Sequence, residues 1–168
     1  MSPRVVLSAY HCTVAPKSES TKPCDHSDGR RLAILGQNEI NNFELGKYPS
    51  VPVIKVFSPP HGWLTSHDYL SHDFALLLLK HSVKYTSKVS PICLPPPHAE
   101  YGGEMAVAAG WGRTDTVSPF QSPVLMAVRL KVSTKKYQHK KMFGTELSKK
   151  DNKYQDPCTG DSGGLLLS

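Results

Sequence analysis

Residues 160–164 read Gly160-Asp161-Ser162-Gly163-Gly164, one hydroxyl set among three glycines. With no bulky side chains in the way, the backbone N–H groups of such a loop can approach a reacting carbonyl closely. Ser162 is therefore a candidate nucleophile. Serine alone is a weak one, and it needs a base and a group that orients the base. Read in isolation, the same five residues also make an ordinary glycine turn. What separates the two readings is whether a histidine and an aspartate stand elsewhere in a workable order.

The stretch satisfies the Gly-x-Ser-x-Gly pattern of α/β-hydrolases, in which the acid and the histidine follow the serine. Here six residues follow Ser162, and none is His or Asp. The subtilisin order needs an Asp before the His, yet nothing acidic precedes His11. The order that remains is His, Asp, Ser, and two further motifs supply it. These are Leu7-Ser8-Ala9-Tyr10-His11-Cys12 and His72-Asp73-Phe74-Ala75-Leu76-Leu77. A histidine suits the base because its ordinary pKa lies near neutrality.

These three motifs in this order resemble the trypsin/chymotrypsin family of serine proteases. Further landmarks extend the resemblance along nearly the whole chain. Pro91-Ile92-Cys93-Leu94-Pro95 resembles the connection between the family's two barrels, and Ala109-Gly110-Trp111-Gly112-Arg113-Thr114 resembles a turn and strand early in the second. The resemblance implies an all-β fold of two six-stranded antiparallel Greek-key barrels, incomplete here, with one short helix in the second half. It divides the chain into a first-barrel remainder over about 1–95 and a second barrel over about 96–168. It implies a catalytic triad of His11 as base, Asp73 as the buried carboxylate that fixes the imidazole tautomer and stabilises the imidazolium, and Ser162 as nucleophile, with an oxyanion hole at the N–H groups of Gly160 and Ser162. Asp161 matches the carboxylate that pairs with a new N-terminal ammonium after zymogen cleavage. Asp156 matches the base of the specificity pocket, where a carboxylate selects Arg or Lys side chains. The structural reading of Asp156 is an exposed loop acid.

The cysteines follow the same frame. Two family bridges would fall at Ala106 with Ser168 and near Tyr137 with Gly144, and in each pair both cysteines are missing. Loss in whole pairs is what a once-oxidised framework would leave. Cys12 and Cys158 match positions whose partners would lie outside residues 1–168. Cys93 resembles a cysteine that tethers an upstream activation segment in some members, and Cys24 falls in a surface insertion with no counterpart. Three departures touch local geometry: Tyr10 replaces a small residue beside His11, Leu165 replaces a proline, and Pro157 follows Asp156. The chain is read as truncated at both ends, and on that reading it turns over peptides poorly. The resemblance implies secretion, a zymogen, a monomer, and protein or peptide substrates with protease inhibitors as further partners. It calls for no cofactor or metal. The alternative is a non-catalytic relative that keeps the scaffold to bind a protein.

Composition sets the outer bounds. The 168 residues are 39% hydrophobic, enough for a core, and carry a net charge of +6. Much of that charge lies between Arg129 and Lys153, where eight lysines read as a solvated helix and loop. No aromatic platform accompanies them, so nucleic acid is not an expected partner. The longest apolar run, 74–79, is far too short to cross a bilayer, and no signal-peptide pattern opens the chain. His61, His67, Asp68, His72 and Asp73 cluster in sequence, as do Cys12, Cys24 and His26, but neither set has a metal-ligand spacing. Short apolar runs punctuated by Pro and Gly predict strands at 5–8, 31–35, 53–57, 75–79, 105–109, 124–132 and 165–167. The one short helix is predicted over 133–141, with Ser133 or Thr134 as its N-cap.

Overall fold

The structure, a computed structural model, describes residues 2–13, 31–40, 48–59, 73–114, 120–134, 144–146, 148–150 and 153–167. The chain forms two compact units, Met1–Cys93 and Leu94–Ser168. Each unit carries a curled four-stranded antiparallel sheet, and helix is almost absent among the described residues. The expected all-β, two-barrel class is borne out, with each sheet forming a half-barrel.

In the first unit the strands are β1 (Val5–Ser8), β2 (Leu32–Ile34), β3 (Ser50–Phe57) and β4 (Ala75–Leu79), in the order β1-β4-β3-β2. The run Ala-Leu-Leu-Leu-Leu suits β4 to the interior of the sheet, where it pairs on both edges. Ala75 and Leu79 are fully buried, and Val53 of β3 packs in the same core. Burying a leucine side chain contributes about 1.5–3 kcal/mol. β3 pairs β2 through residues 50–52 and β4 from Val53 onward, with a register shift between Val53 and Lys55. Pro52 sits at that handover, where one fewer ladder donor is tolerated.

The second unit contains β5 (Met105–Gly110), β6 (Met126–Val132), β7 (Thr145–Glu146) and β10 (Leu165–Leu167), in the order β10-β5-β6-β7. Ala106 stands directly opposite Leu130 on β6, and with Val132 they form the buried centre. A separate hairpin pairs β8 (Ser148–Lys150) with β9 (Lys153–Gln155). It corrects the reading of 129–153 as helix and loop, because this stretch contains strand segments from β6 to β9. Ser133 and Thr134 are not helical, and the rest of the predicted helix, 135–141, lies outside the described residues. So do Cys24 and its insertion, His26, His61, His67, Asp68, His72 and Tyr137.

Candidate active site

Strand register explains why His11 and Asp73 meet. β1 runs antiparallel to β4 with Ser8 opposite Ala75, so the chain leaving β1 passes the chain entering β4. Immediately after β1, Tyr10–Thr13 forms a single 3-10 turn, in which Cys12 N–H donates to Ala9 O at 3.2 Å. Arg31 satisfies the exposed end of that turn, since its guanidinium donates to Thr13 O at 2.6 Å and Cys12 O at 3.4 Å. Such orphan carbonyls at a helical end otherwise need water. Thr13 is buried beneath, with its hydroxyl on Tyr10 O at 2.7 Å.

Held this way, His11 contacts the Asp73 carboxylate twice. His11 Nδ1 lies 2.6 Å from Asp73 Oδ2, and the His11 backbone N–H donates to Oδ1 at 2.8 Å. A carboxylate on Nδ1 favours the proton there and leaves the lone pair on Nε2. The pair is partly open to solvent, with side chains 40% and 20% exposed. The two contacts, not deep burial, therefore set the orientation of this ring. The Cys12 thiol lies 3.5 Å from Nε2, a contact the motif reading missed. Adjacent residues point apart on a strand, but the 3-10 turn brings these two together. Partial desolvation raises the Cys12 pKa; the Asp73 carboxylate adds to this and the Arg31 cation opposes it.

The serine motif is built by the same logic in the second unit. Leu165 pairs with Ala109, so the loop before β10 lies beside the turn after β5. Two tight turns follow one another: Asp161 N–H donates to Cys158 O and Gly164 N–H to Asp161 O, both at 3.0 Å. Gly160 has φ +103°, a left-handed conformation that side chains disfavour. Asp161 locks the two segments together: Oδ1 accepts from Gly112 N–H at 2.6 Å and Oδ2 from Cys158 N–H at 3.0 Å. Arg113 N–H donates to Thr159 O at 2.9 Å alongside. Ser162 is exposed at the second turn. These two amides are the partners seen for the Asp161 carboxylate among the described residues.

Asp156 is exposed and lines a cleft of about 360 Å³ in this unit. Strand residues 108–110 and 126–128 line it together with Pro157, Cys158 and Asp161. Arg113 lines the same cleft, a cation that sequence reasoning had not connected with Asp156. No disulfide joins Cys12, Cys93 and Cys158, and Ala106, at the position where one family bridge would fall, is packed in the core. Among the described residues no group of three His, Cys, Asp or Glu side chains could hold a metal, and no helix is long and apolar enough to cross a membrane.

Comparison with known proteins adds an independent line. The family model described as Trypsin matches residues 1–168. The chain is 31% identical over 183 aligned positions to complement C1r-B subcomponent of Mus musculus, covering 97% of this chain and 24% of that protein. It is 30% identical over 188 positions to melanization protease 1 of Drosophila melanogaster, covering 98% of this chain and 44% of the relative. Phenoloxidase-activating factor 1 of Holotrichia diomphalia is 35% identical over 106 residues, covering 58% of this chain and 28% of the relative. The chain thus spans less than half the length of these curated relatives. With a family match over the whole chain and a mostly-strand fold of two curled half-barrel sheets, the chain belongs to the trypsin-like serine protease family.

Proposed function

We propose that this chain is a serine endopeptidase of weak turnover acting through an acyl-enzyme, with His11, Asp73 and Ser162 as its triad. The observation that carries the reading is the 2.6 Å contact of His11 Nδ1 with Asp73, which leaves Nε2 as the basic atom of the ring. In the proposed reaction Nε2 takes the Ser162 hydroxyl proton as Oγ bonds to the scissile carbonyl carbon. The carbonyl oxygen becomes an oxyanion that accepts from the Gly160 and Ser162 N–H groups. Collapse breaks the C–N bond, and the imidazolium returns its proton to the departing amine. Water, deprotonated by the same nitrogen, then attacks the ester, and Ser162 regains its hydrogen. Asp73 keeps the ring oriented and stabilises its positive form in both halves.

The glycine-bounded turns support the oxyanion role, because the Gly160 Cα carries no side chain beside the reacting carbonyl. The doubly anchored Asp161 carboxylate holds that loop in shape. For specificity we propose that Asp156 receives an Arg or Lys side chain. Arg113 in the same cleft sharpens the test, since a competing cation would weaken that preference. Protein or peptide substrates, protease inhibitors as partners, zymogen activation and an extracellular location belong to the same proposal. Matched peptide substrates with Arg, Lys, Phe or Leu before the scissile bond test it. Cleavage after Arg and Lys, lost in Ser162→Ala and made indiscriminate in Asp156→Ala, is expected. Better cleavage after Phe or Leu than after Arg would show the pocket assignment to be wrong.

A further inference from the structure

A base must be held in place as well as paired, and His11 is carried by a turn of only four residues, Tyr10–Thr13. Asp73 grips it from one side, through the ring and through the His11 backbone N–H. Inside the turn, Cys12 N–H donates to Ala9 O and the Thr13 hydroxyl to Tyr10 O. A 3-10 turn has poorer hydrogen-bond geometry than an α-helix and holds its own shape weakly. Its far end presents the carbonyl oxygens of Cys12 and Thr13, the two residues directly after His11. Both accept from the same guanidinium: Arg31 Nη2 donates to Thr13 O at 2.6 Å and Nη1 to Cys12 O at 3.4 Å. Carbonyl oxygens at a helical end carry partial negative charge, so a cation suits them better than a neutral donor.

Arg31 is itself placed from the core of the first unit. Its carbonyl accepts from Val53 N–H at 2.9 Å, and Val53 is buried in the sheet. The next residue, Leu32, begins β2 and pairs with Pro52 of β3. A path of bonded groups therefore runs from β3 through Arg31 to the residues that follow His11, and Arg31 lies 18 residues beyond Thr13 in the chain. Asp73 reaches the same turn from the start of β4, so the turn is braced from two different strands. The planar guanidinium fork fixes two acceptors at once, which an ammonium on a flexible stem does less well. Building on the proposed peptidase reading, we propose that Arg31 is a positioning residue for His11. Its guanidinium holds the turn so that Nε2 stays where it can take the Ser162 proton. Arg31 takes no proton itself, since a guanidinium stays charged at working pH.

The experiment times fluorophosphonate labelling of Ser162 in the parent chain, Arg31→Ala, Arg31→Met and Arg31→Lys, with urea unfolding of each to show that it is folded. Arg31→Ala is expected to slow labelling about ten- to a hundredfold, because a misplacement on the order of 1 Å can cost about 10²-fold. Guanidinium ion at low millimolar concentration, far below denaturing levels, should restore part of the rate in Arg31→Ala and leave the parent unchanged. Arg31→Lys, a cation without the fork, should fall between the two. Arg31→Met keeps the apolar stem and lacks the donors, so it should label as slowly as Arg31→Ala and decides the matter if the alanine chain does not fold. A purely structural role would lower the urea midpoint with no rate loss that guanidinium repairs, and that result overturns the proposal. So does labelling of folded Arg31→Ala or Arg31→Met at the parent rate, which leaves the peptidase reading standing. Failure of the parent chain to label at Ser162 removes the peptidase reading itself, and the proposal with it.

Discussion

Replacing Gly112 with alanine tests the connection that holds the serine loop in place. Gly112 is buried, and a β-carbon there would stand 2.5 Å from Asp161 Oδ1 and closer still to Oδ2 and Cγ. Gly112 is not among the glycines with positive φ, so alanine brings no left-handed strain of its own. The carboxylate must therefore move, and movement breaks the 2.6 Å bond from Gly112 N–H. Overpacking costs about 1–3 kcal/mol and loss of a hydrogen bond to a charged group about 1.5–3 kcal/mol. Because the same motion relieves one by incurring the other, the two overlap, and the expected loss is about 2–3 kcal/mol. For a chain of this size that lowers Tm by roughly 4–12 °C. Urea and thermal unfolding of the parent, Gly112→Ala, Asp161→Ala and the double variant give the cycle. With the carboxylate gone the alanine has nothing to strike, so the double variant should be well short of the sum of the singles. Additivity within about 0.5 kcal/mol would refute the contact as the cause.

Three other outcomes follow from the same structure. Leu79→Ala and Leu130→Ala each remove a fully buried side chain, so each should destabilise by about 2–5 kcal/mol in denaturant unfolding; losses near zero would contradict the assigned cores. Gly160→Ala puts a β-carbon on a φ of +103° and against Gln121, and should slow fluorophosphonate labelling by on the order of 10²–10³ if it turns the Gly160 N–H away; an unchanged rate argues against that donor. Because burial and Asp73 raise the Cys12 pKa, iodoacetamide alkylation of Cys12, followed by mass spectrometry, should climb only above the ordinary thiol range. Asp73→Asn should shift that rise to lower pH, and a shift upward would contradict the electrostatics.

What the sequence made legible follows from how each feature is encoded. β1, β4 and β10 occupy the predicted residues because each is a short apolar run ended by polar or glycine residues. The β8–β9 hairpin was not legible: Ser148-Lys149-Lys150 and Lys153-Tyr154-Gln155 lack the apolar alternation that signals a strand. At the candidate site, His11, Asp73 and Ser162 could be singled out because the roles of base, acid and nucleophile each restrict residue type. Their supports could not. Gly112 N–H holds Asp161 across 49 residues, and a backbone amide leaves no mark in a sequence. The Cys12–His11 contact was hidden for a related reason, since it depends on a 3-10 turn at a place read as a strand end. Arg31 belongs to no motif, and only its bonds to the backbone oxygens of Cys12 and Thr13 reveal it.

The central claim, that His11 and Asp73 activate Ser162, is tested most directly by the rate and site of fluorophosphonate labelling in the 168-residue chain. The account predicts covalent modification mapped to Ser162 by peptide mass spectrometry and absent in Ser162→Ala. It predicts slowing by about 10²–10⁴ in His11→Ala, the usual worth of a positioned base. Asp73→Asn should slow it as well, because the ring then loses the carboxylate that holds its tautomer. Labelling at another residue, or an equal rate on Ser162 when His11 is alanine, would contradict the account.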